Sequence, residues 1–374
     1  MPVLIFCFST RGVFCSLTCL FVIDQVPKLL KQGEKYSDLF TVFLDTHDYS
    51  EIAWLQDIKN KRFMKASSRV QDAALQETNM DRRRTMLSLS KLLCMAGLPG
   101  DGLEKEQIMK YMSGNNDELE MATIQSLVAD EWERKVGSLT SVQDRAKAVV
   151  DSFASQLLKR QPQLRKAILK SVESLLNRQT IGSEDLLDVL ILYGSRDIGN
   201  FDVCDVALEI CLHAADIPES RRPYVLQDIW RRIYIAEHND LAHWKFEEVT
   251  DPEARQKLLA TWMARAYTLI YRAEGQKDDL LLRPEETKCR MPKELFMERF
   301  MALHEGREAD EAETNCQAMM HDYSLENEEL ENRLEKWQLS QKWSRIKTLV
   351  KTDETNAAAA SSVFASQDID MEDA

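Results

Sequence analysis

The sequence predicts an all-α protein: an irregular elongated stack of antiparallel helix pairs, α-solenoid-like in character. Three observations carry that expectation. Glycine and proline are scarce, 12 and 9 in 374 residues, about half their share in an average globular chain. Sheets need a turn roughly every 8–12 residues, and nucleotide-binding folds need glycines beside the phosphate, so sandwiches, barrels and Rossmann or P-loop folds are disfavoured. Hydrophobic residues make up 44% of the chain, enough to build a large core and to exclude wholesale disorder. From Asp24 onward, apolar residues recur at helical spacing. A chain of this size fits a stack of helices better than one round bundle.

Residues 1–23 are apolar apart from Ser, Thr and Arg11, and form an N-terminal segment of their own. The uncharged part, Gly12 to Ile23, is shorter than the ~20 residues of a spanning helix. The start is not basic, and Asp24-Gln25-Val26-Pro27 offers no small-residue cleavage site, so a signal peptide is disfavoured. A buried first helix and a mis-started chain are the readings that remain.

A helical stack is expected over 24–350. Short helices near 36–45 and 49–59 lead into longer ones over 62–78 and 81–97, the last with Leu89, Leu92, Leu93 and Ala96 on one face. Gly97 to Gly102 is the densest group of breakers and marks a loop and a sub-boundary near 97–102. Asn115-Asn116 provides an N-cap for a helix to Arg134. Ser141 with Asp144 resembles a capping box for a helix to Lys159, and Pro162 begins another to Leu176. Helices follow over 184–193, 201–215 and 224–237. Pro252 opens one in which Leu259, Trp262, Met263, Ala266 and Ile270 share a face, and 293–304, 308–321 and 323–350 complete the stack. Residues 351–374 carry Asp353, Glu354, Asp368, Asp370, Glu372 and Asp373 with no basic residue after Lys351, and are expected to be a disordered acidic tail.

Charge narrows the function classes. Lys and Arg total 48 against 62 Asp and Glu, a net charge of −14, which disfavours direct nucleic-acid binding. The eight cysteines contain no CxxC pair, so neither a zinc framework nor a disulfide scaffold is indicated and a reducing compartment is expected. Cys204 and Cys211, seven apart, are expected to be small buried thiols on one helical face. Leu212-His213-Ala214-Ala215-Asp216 resembles a metal-binding stretch of cyclic-nucleotide phosphodiesterases. His47-Asp48, His238 and His243 do not supply the remaining ligands of a binuclear site, so His213 is expected to be partly buried, capping a helix end beside Asp216. HExxH, GxSxG, GxxxxGK[ST] and kinase motifs are absent. No catalytic, cofactor or metal residue is assigned.

Arg82-Arg83-Arg84 and the acid-rich run from Glu305 to Glu331 read first as solvated faces. Most of the seven tryptophans are expected in the core, with Trp337 and Trp343, set among charges, best placed to be exposed.

Two stretches carry a family resemblance. Residues 50–98 contain Ala53-Trp54-Leu55, an alanine-bearing helix from Ala66 to Glu77, and a basic lead into Leu87-Ser88-Leu89-Ser90-Lys91-Leu92. Glu184 to Tyr193, Phe201–Ala215 and Leu226-Gln227-Asp228-Ile229-Trp230-Arg231 form the second. Together they resemble the C-terminal α-helical region of the nucleoporin 133/155-like C-terminal family, of fungal type, over roughly 24–350. The resemblance implies a scaffold of the Y-shaped nuclear pore subcomplex at the nuclear envelope. Its implied partners are the C-terminal helices of a nucleoporin 107/84-type protein and other nucleoporins of that subcomplex. The family's N-terminal β-propeller has no counterpart here, so membrane sensing does not carry over and membrane contact is not expected. A vesicle-coat or tethering subunit is the second reading, a metal phosphodiesterase a distant third.

Docking of helical scaffolds needs an exposed apolar strip that a partner helix covers. The 81–97 helix is the expected strip. Leu89, Leu92 and Leu93 form its stripe, Met86 and Met95 flank it as adaptable contacts, and Arg83 and Arg84 steer an acidic partner. The competing reading puts all five apolar side chains in the core.

Overall fold

The computed structural model describes residues 31, 37–46, 50–97, 105–153, 156–192, 197–198, 201–236, 252–273, 280–288, 291–301 and 309–352. The N-terminal segment 1–23, most of the 97–102 loop, and residues 353–374 therefore lie outside the described residues, as do His47, His238, His243 and Trp244. The protein is all-α, as its composition demands. Among the described residues, extended pairing is confined to a two-residue antiparallel ladder, β1 (Asp197–Ile198) against β2 (Phe201–Asp202), and one isolated bridge between Asn79 and Gln179. No helix among them is long and apolar enough to cross a membrane.

The chain divides into two compact units, Met1–Ser126 with Arg178–Thr180, and Leu127–Asn177 with Ile181–Ala374. In the first, α1 (Ser37–Thr46), α2 (Ser50–Lys59), α3 (Phe63–Gln76) and α4 (Met80–Gly97) follow one another with three residues between successive helices. Connections of this length make sequence neighbours into packing neighbours. Its core takes Phe40, Phe43 and Leu44 from α1, Ala66, Val70 and Ala74 from α3, and Met80, Leu87, Leu93 and Cys94 from α4.

The next helix, α5, runs unbroken over Lys105–Val136. Asn115 is therefore not a cap. Its buried side chain points sideways and donates Nδ2–H to Ser90 Oγ at 3.2 Å.

In the second unit, α6 (Val142–Phe153), α7 (Gln156–Lys159) and α8 (Pro162–Leu176, with Pro at its first turn) precede α9 (Ser183–Leu192). The Asp202 side chain caps α10 (Val203–His213), accepting from Cys204 N–H at 2.8 Å. After α11 (Arg222–Ala236), the helix expected from Pro252 is two, α12 (Pro252–Leu259) and α13 (Trp262–Ala273). Thr261 divides them: its hydroxyl donates to Leu258 O at 2.7 Å and accepts from Ala264 N–H at 3.2 Å. A 3-10 turn (Pro284–Thr287), α14 (Lys293–Met301), α15 (Ala309–Trp337) and α16 (339–352) complete the unit.

The break expected at 321–323 is absent. Asp322, at the expected break, lies within the continuous helix, and its carboxylate accepts from Gln163 N–H at 2.6 Å and Leu164 N–H at 2.9 Å at the start of α8. The interruption comes at Gln338, in the left-handed region at φ 50°.

Trp343 corrects another expectation. It is 4% exposed, packed edge-on against Trp230, Tyr234 and Tyr267 with ring centroids 5.3, 6.0 and 5.4 Å away. The charges beside it in sequence belong to other faces of α16. The side chain of Trp337 is not among those described.

Candidate partner interface

The face that α4 presents is decided by how it packs on α3. Small residues line the contact. Ser67 Oγ donates to Ser90 O at 2.7 Å, and Ser90 Oγ returns a bond to Ser67 O at 2.9 Å. Reciprocal side-chain-to-backbone bonds of this kind draw two helices close, and Ala66, Ala74 and Gly97 leave room for the approach. The buried face of α4 is accordingly Leu87, Ser90, Leu93, Cys94 and Gly97, at i, i+3, i+6, i+7 and i+10 spacing with a serine inside the stripe. A hydrophobicity pattern passes over that serine and shifts the expected stripe toward Leu92.

The predicted interface residues separate on this frame. Leu93 is 7% exposed and sits with Ala66 and Val70. Leu89 and Met86 are half-buried against the same cluster, alongside Trp54, Ile58 and Phe63. Leu92 and Met95 point outward, 63% and 49% exposed. They are three residues apart on one face, with Ala96 exposed beside them.

The two arginines are engaged within the chain. Arg83 Nη2 donates to Glu118 Oε2 at 2.8 Å, and Arg84 Nη1 to Ser126 Oγ at 3.3 Å. Arg82 pairs with Glu77 at 3.3 Å. The outward strip is thus a short apolar pair on a helix whose register is held by ion pairs.

The second unit contains a cluster that the sequence concealed. Glu326 lies in the acid-rich run expected to be solvated, yet it is fully buried. Its Oε2 accepts from Arg231 Nε at 2.9 Å and Nη2 at 2.7 Å, and its Oε1 accepts from Arg232 Nε at 3.1 Å. Arg231 also donates to Asp228 Oδ1 at 2.7 Å and to the Thr287 carbonyl at 3.3 Å. Asp188 accepts from Arg232 and, at 2.6 Å, from Arg299. Tyr323 bridges Arg299 and Asp188, each at 3.2 Å. Burial alone would push the Asp188 carboxyl up, but Arg299 and Arg232 outweigh it and hold the group below its ordinary range. Buried charges persist only when matched in this way. The cluster ties α9, α11, α14 and α15 together; its signal in the sequence was Asp228, Arg231 and Arg232 at one-turn spacing amid apolar residues.

His213 and Asp216 take separate structural places. His213 is exposed rather than partly buried, its Nε2 3.4 Å from Glu209. Asp216 Oδ2 accepts from Ser183 N–H at 2.8 Å, at the start of α9. The end of α10 that His213 was expected to cap is closed by Arg222, which donates to the carbonyls of Cys211, Leu212, Ala214 and Ile217. Cys204 and Cys211 are buried thiols, and burial pushes Cys211 up to about 12. Among the described residues, no group of three or more His, Cys, Asp or Glu side chains is placed to hold a metal ion.

Comparison with known proteins adds a family. A model described as non-repetitive/WGA-negative nucleoporin C-terminal matches residues 19–346. Nucleoporin nup132 of Schizosaccharomyces pombe is 27% identical over 198 residues, a stretch covering 51% of this chain and 16% of that protein. No solved structure matches the chain significantly.

Proposed function

The chain belongs to the non-repetitive/WGA-negative nucleoporin C-terminal family, and from that premise we propose that it is a scaffold subunit of the Y-shaped nuclear pore subcomplex. As a nucleoporin it is a structural component of the nuclear pore complex, at the nuclear envelope. The finer reading is that it docks onto the C-terminal helices of a nucleoporin 107/84-type partner. In doing so it supports pore assembly and the transport of protein and mRNA.

One observation supports a docking role for α4 in particular. Leu92 and Met95 stand exposed on a helix anchored from behind by Leu87, Leu93 and the Ser67–Ser90 bonds. Such a helix offers a rigid apolar strip that costs little ordering entropy when a partner helix covers it. Met95 supplies an adaptable contact.

Purified wild-type chain and the Leu92→Glu and Met95→Glu variants should be compared for capture of the nucleoporin 107-type C-terminal region. Both substitutions are expected to abolish capture while the helical circular dichroism and melting temperature stay as in wild type. Undiminished capture by both variants would move the interface off α4.

A further inference from the structure

Helix α5 runs unbroken for 32 residues, yet its first half contains Ser113-Gly114-Asn115-Asn116-Asp117. All five are poor residues for a helix interior, glycine through backbone freedom and the others because their side chains compete for backbone groups. Gly114 is not there for want of room, since a Cβ at that position would meet nothing within 4 Å. Beside it, Asn115 is fully buried. Its Nδ2–H reaches Ser90 Oγ at 3.2 Å, but its Oδ1 accepts no hydrogen bond, and the buried Oδ1 of Asn116 accepts none either. A buried amide oxygen without a donor has given up water and gained nothing in exchange.

Both oxygens find a donor when the helix is divided at Gly114. An asparagine at an N-cap accepts from the backbone N–H two or three residues on. For Asn115 that donor is Asp117 or Glu118, and for Asn116 it is Glu118 or Leu119. Glu118 also follows Asn115 at the spacing of a capping box. Asp117 and Glu118 then fall in a first turn, where the helix dipole favours carboxylates. Residues that serve poorly in mid-helix serve well at a helix start.

Division there leaves the packing beneath it in place. The Ser67–Ser90 bonds join α3 to α4 without help from α5, and downstream Glu118 is held by Arg83 at 2.8 Å. Upstream, Lys105–Ser113 meets α3 through Tyr111, whose hydroxyl lies 3.4 Å from Ser67 Oγ, and presents Met109 at 59% exposure.

We propose that α5 has two states: the continuous helix, and one divided at Gly114. In the second, Asn115 or Asn116 caps the downstream part, and Lys105–Ser113 swings as an arm that re-aims Met109 and Tyr111. The device is separate from the α4 strip and does not depend on it.

Hydrogen exchange of the full-length chain, resolved to single amides, tests the two states. On division the N–H groups of residues 115–118 lose their helical acceptors, whereas those of 109–112 keep theirs within the arm and those of 120–126 keep theirs downstream. Exchange is expected to be at least about ten-fold faster at 115–118 than in either flank. Gly114→Ala fills open space and favours the continuous helix. It should slow exchange at 115–118 about five-fold, the difference in helix propensity between the two residues, and leave 120–126 unchanged. Protection at 115–118 equal to that at 120–126 would overturn the proposal. So would protection rising steadily from 109 to 126, the pattern of a fraying end, or exchange at 115–118 unchanged in Gly114→Ala.

Discussion

Glu326 is fully buried, and its two oxygens serve both Arg231 and Arg232. Removing one partner of a buried pair leaves the other charge uncompensated, which costs about 3–5 kcal/mol. Urea denaturation of Glu326→Gln should therefore show a loss of that size, while the exposed Glu328→Gln changes stability by no more than about 0.5 kcal/mol. Asp205, in the first turn of α10, behaves oppositely. Burial and then the neighbouring Asp202 push it up to about 6 from the ordinary 3.8. The folded chain thus holds a proton that the unfolded chain has released, so stability falls as pH rises from about 4 to 6 and is level above. Asp205→Asn should remove that slope and be about 1 kcal/mol more stable than wild type at pH 7, the side chain being partly solvated. Melting temperatures at a series of pH values read both effects. Asp188 gives the reverse sign: its depressed value makes a contribution present above the unfolded pKa and lost as pH drops through the folded one. None of these roles shows in residue type, since Glu326 and Glu328 are the same letter two positions apart.

At the scale of the helix, the shortage of glycine has a structural answer. Helices often end on a glycine in the left-handed region. Here Lys61, Arg178 and Gln338 occupy that region after α2, α8 and α15, at φ 57°, 58° and 50°. Each is strained relative to glycine. Gln338→Gly should raise stability by about 0.5–1 kcal/mol in chemical denaturation, because the side chain is exposed and loses little else. Other ends are closed by side chains distant in sequence: Asp322 on the first amides of α8, Asp216 on Ser183, Arg222 on the last carbonyls of α10. Asp322→Ala should cost about 1–2 kcal/mol and speed hydrogen exchange at the Gln163 and Leu164 amides in particular. Pro162 at the first turn of α8 was legible because its signal is local. The continuity of α15 and the division at Thr261 were not, since each depends on where a polar side chain finds its partner.

At the scale of the whole molecule, period and composition determine that apolar faces exist and that helices bury them. Few glycines and prolines, a helical repeat from Asp24 and the stretches around Trp54 and Trp230 were enough for the all-α class and for the family. Which residue of a stripe turns inward was left to packing. Leu92 and Leu93 are adjacent and chemically identical, yet the Ser67–Ser90 bonds rotate α4 so that one is 63% exposed and the other 7%. The same holds for charge. Net charge comes from counting residues, whereas the burial of Glu326 within an acidic run, and of Trp343 within a basic one, follows from contacts between residues tens of positions apart. Helical periodicity and overall class are short-range properties of the chain, and the sequence by itself determined them. The exposed strip, the buried ion cluster and the remote caps arise only when distant elements meet, and the tertiary structure alone decided them.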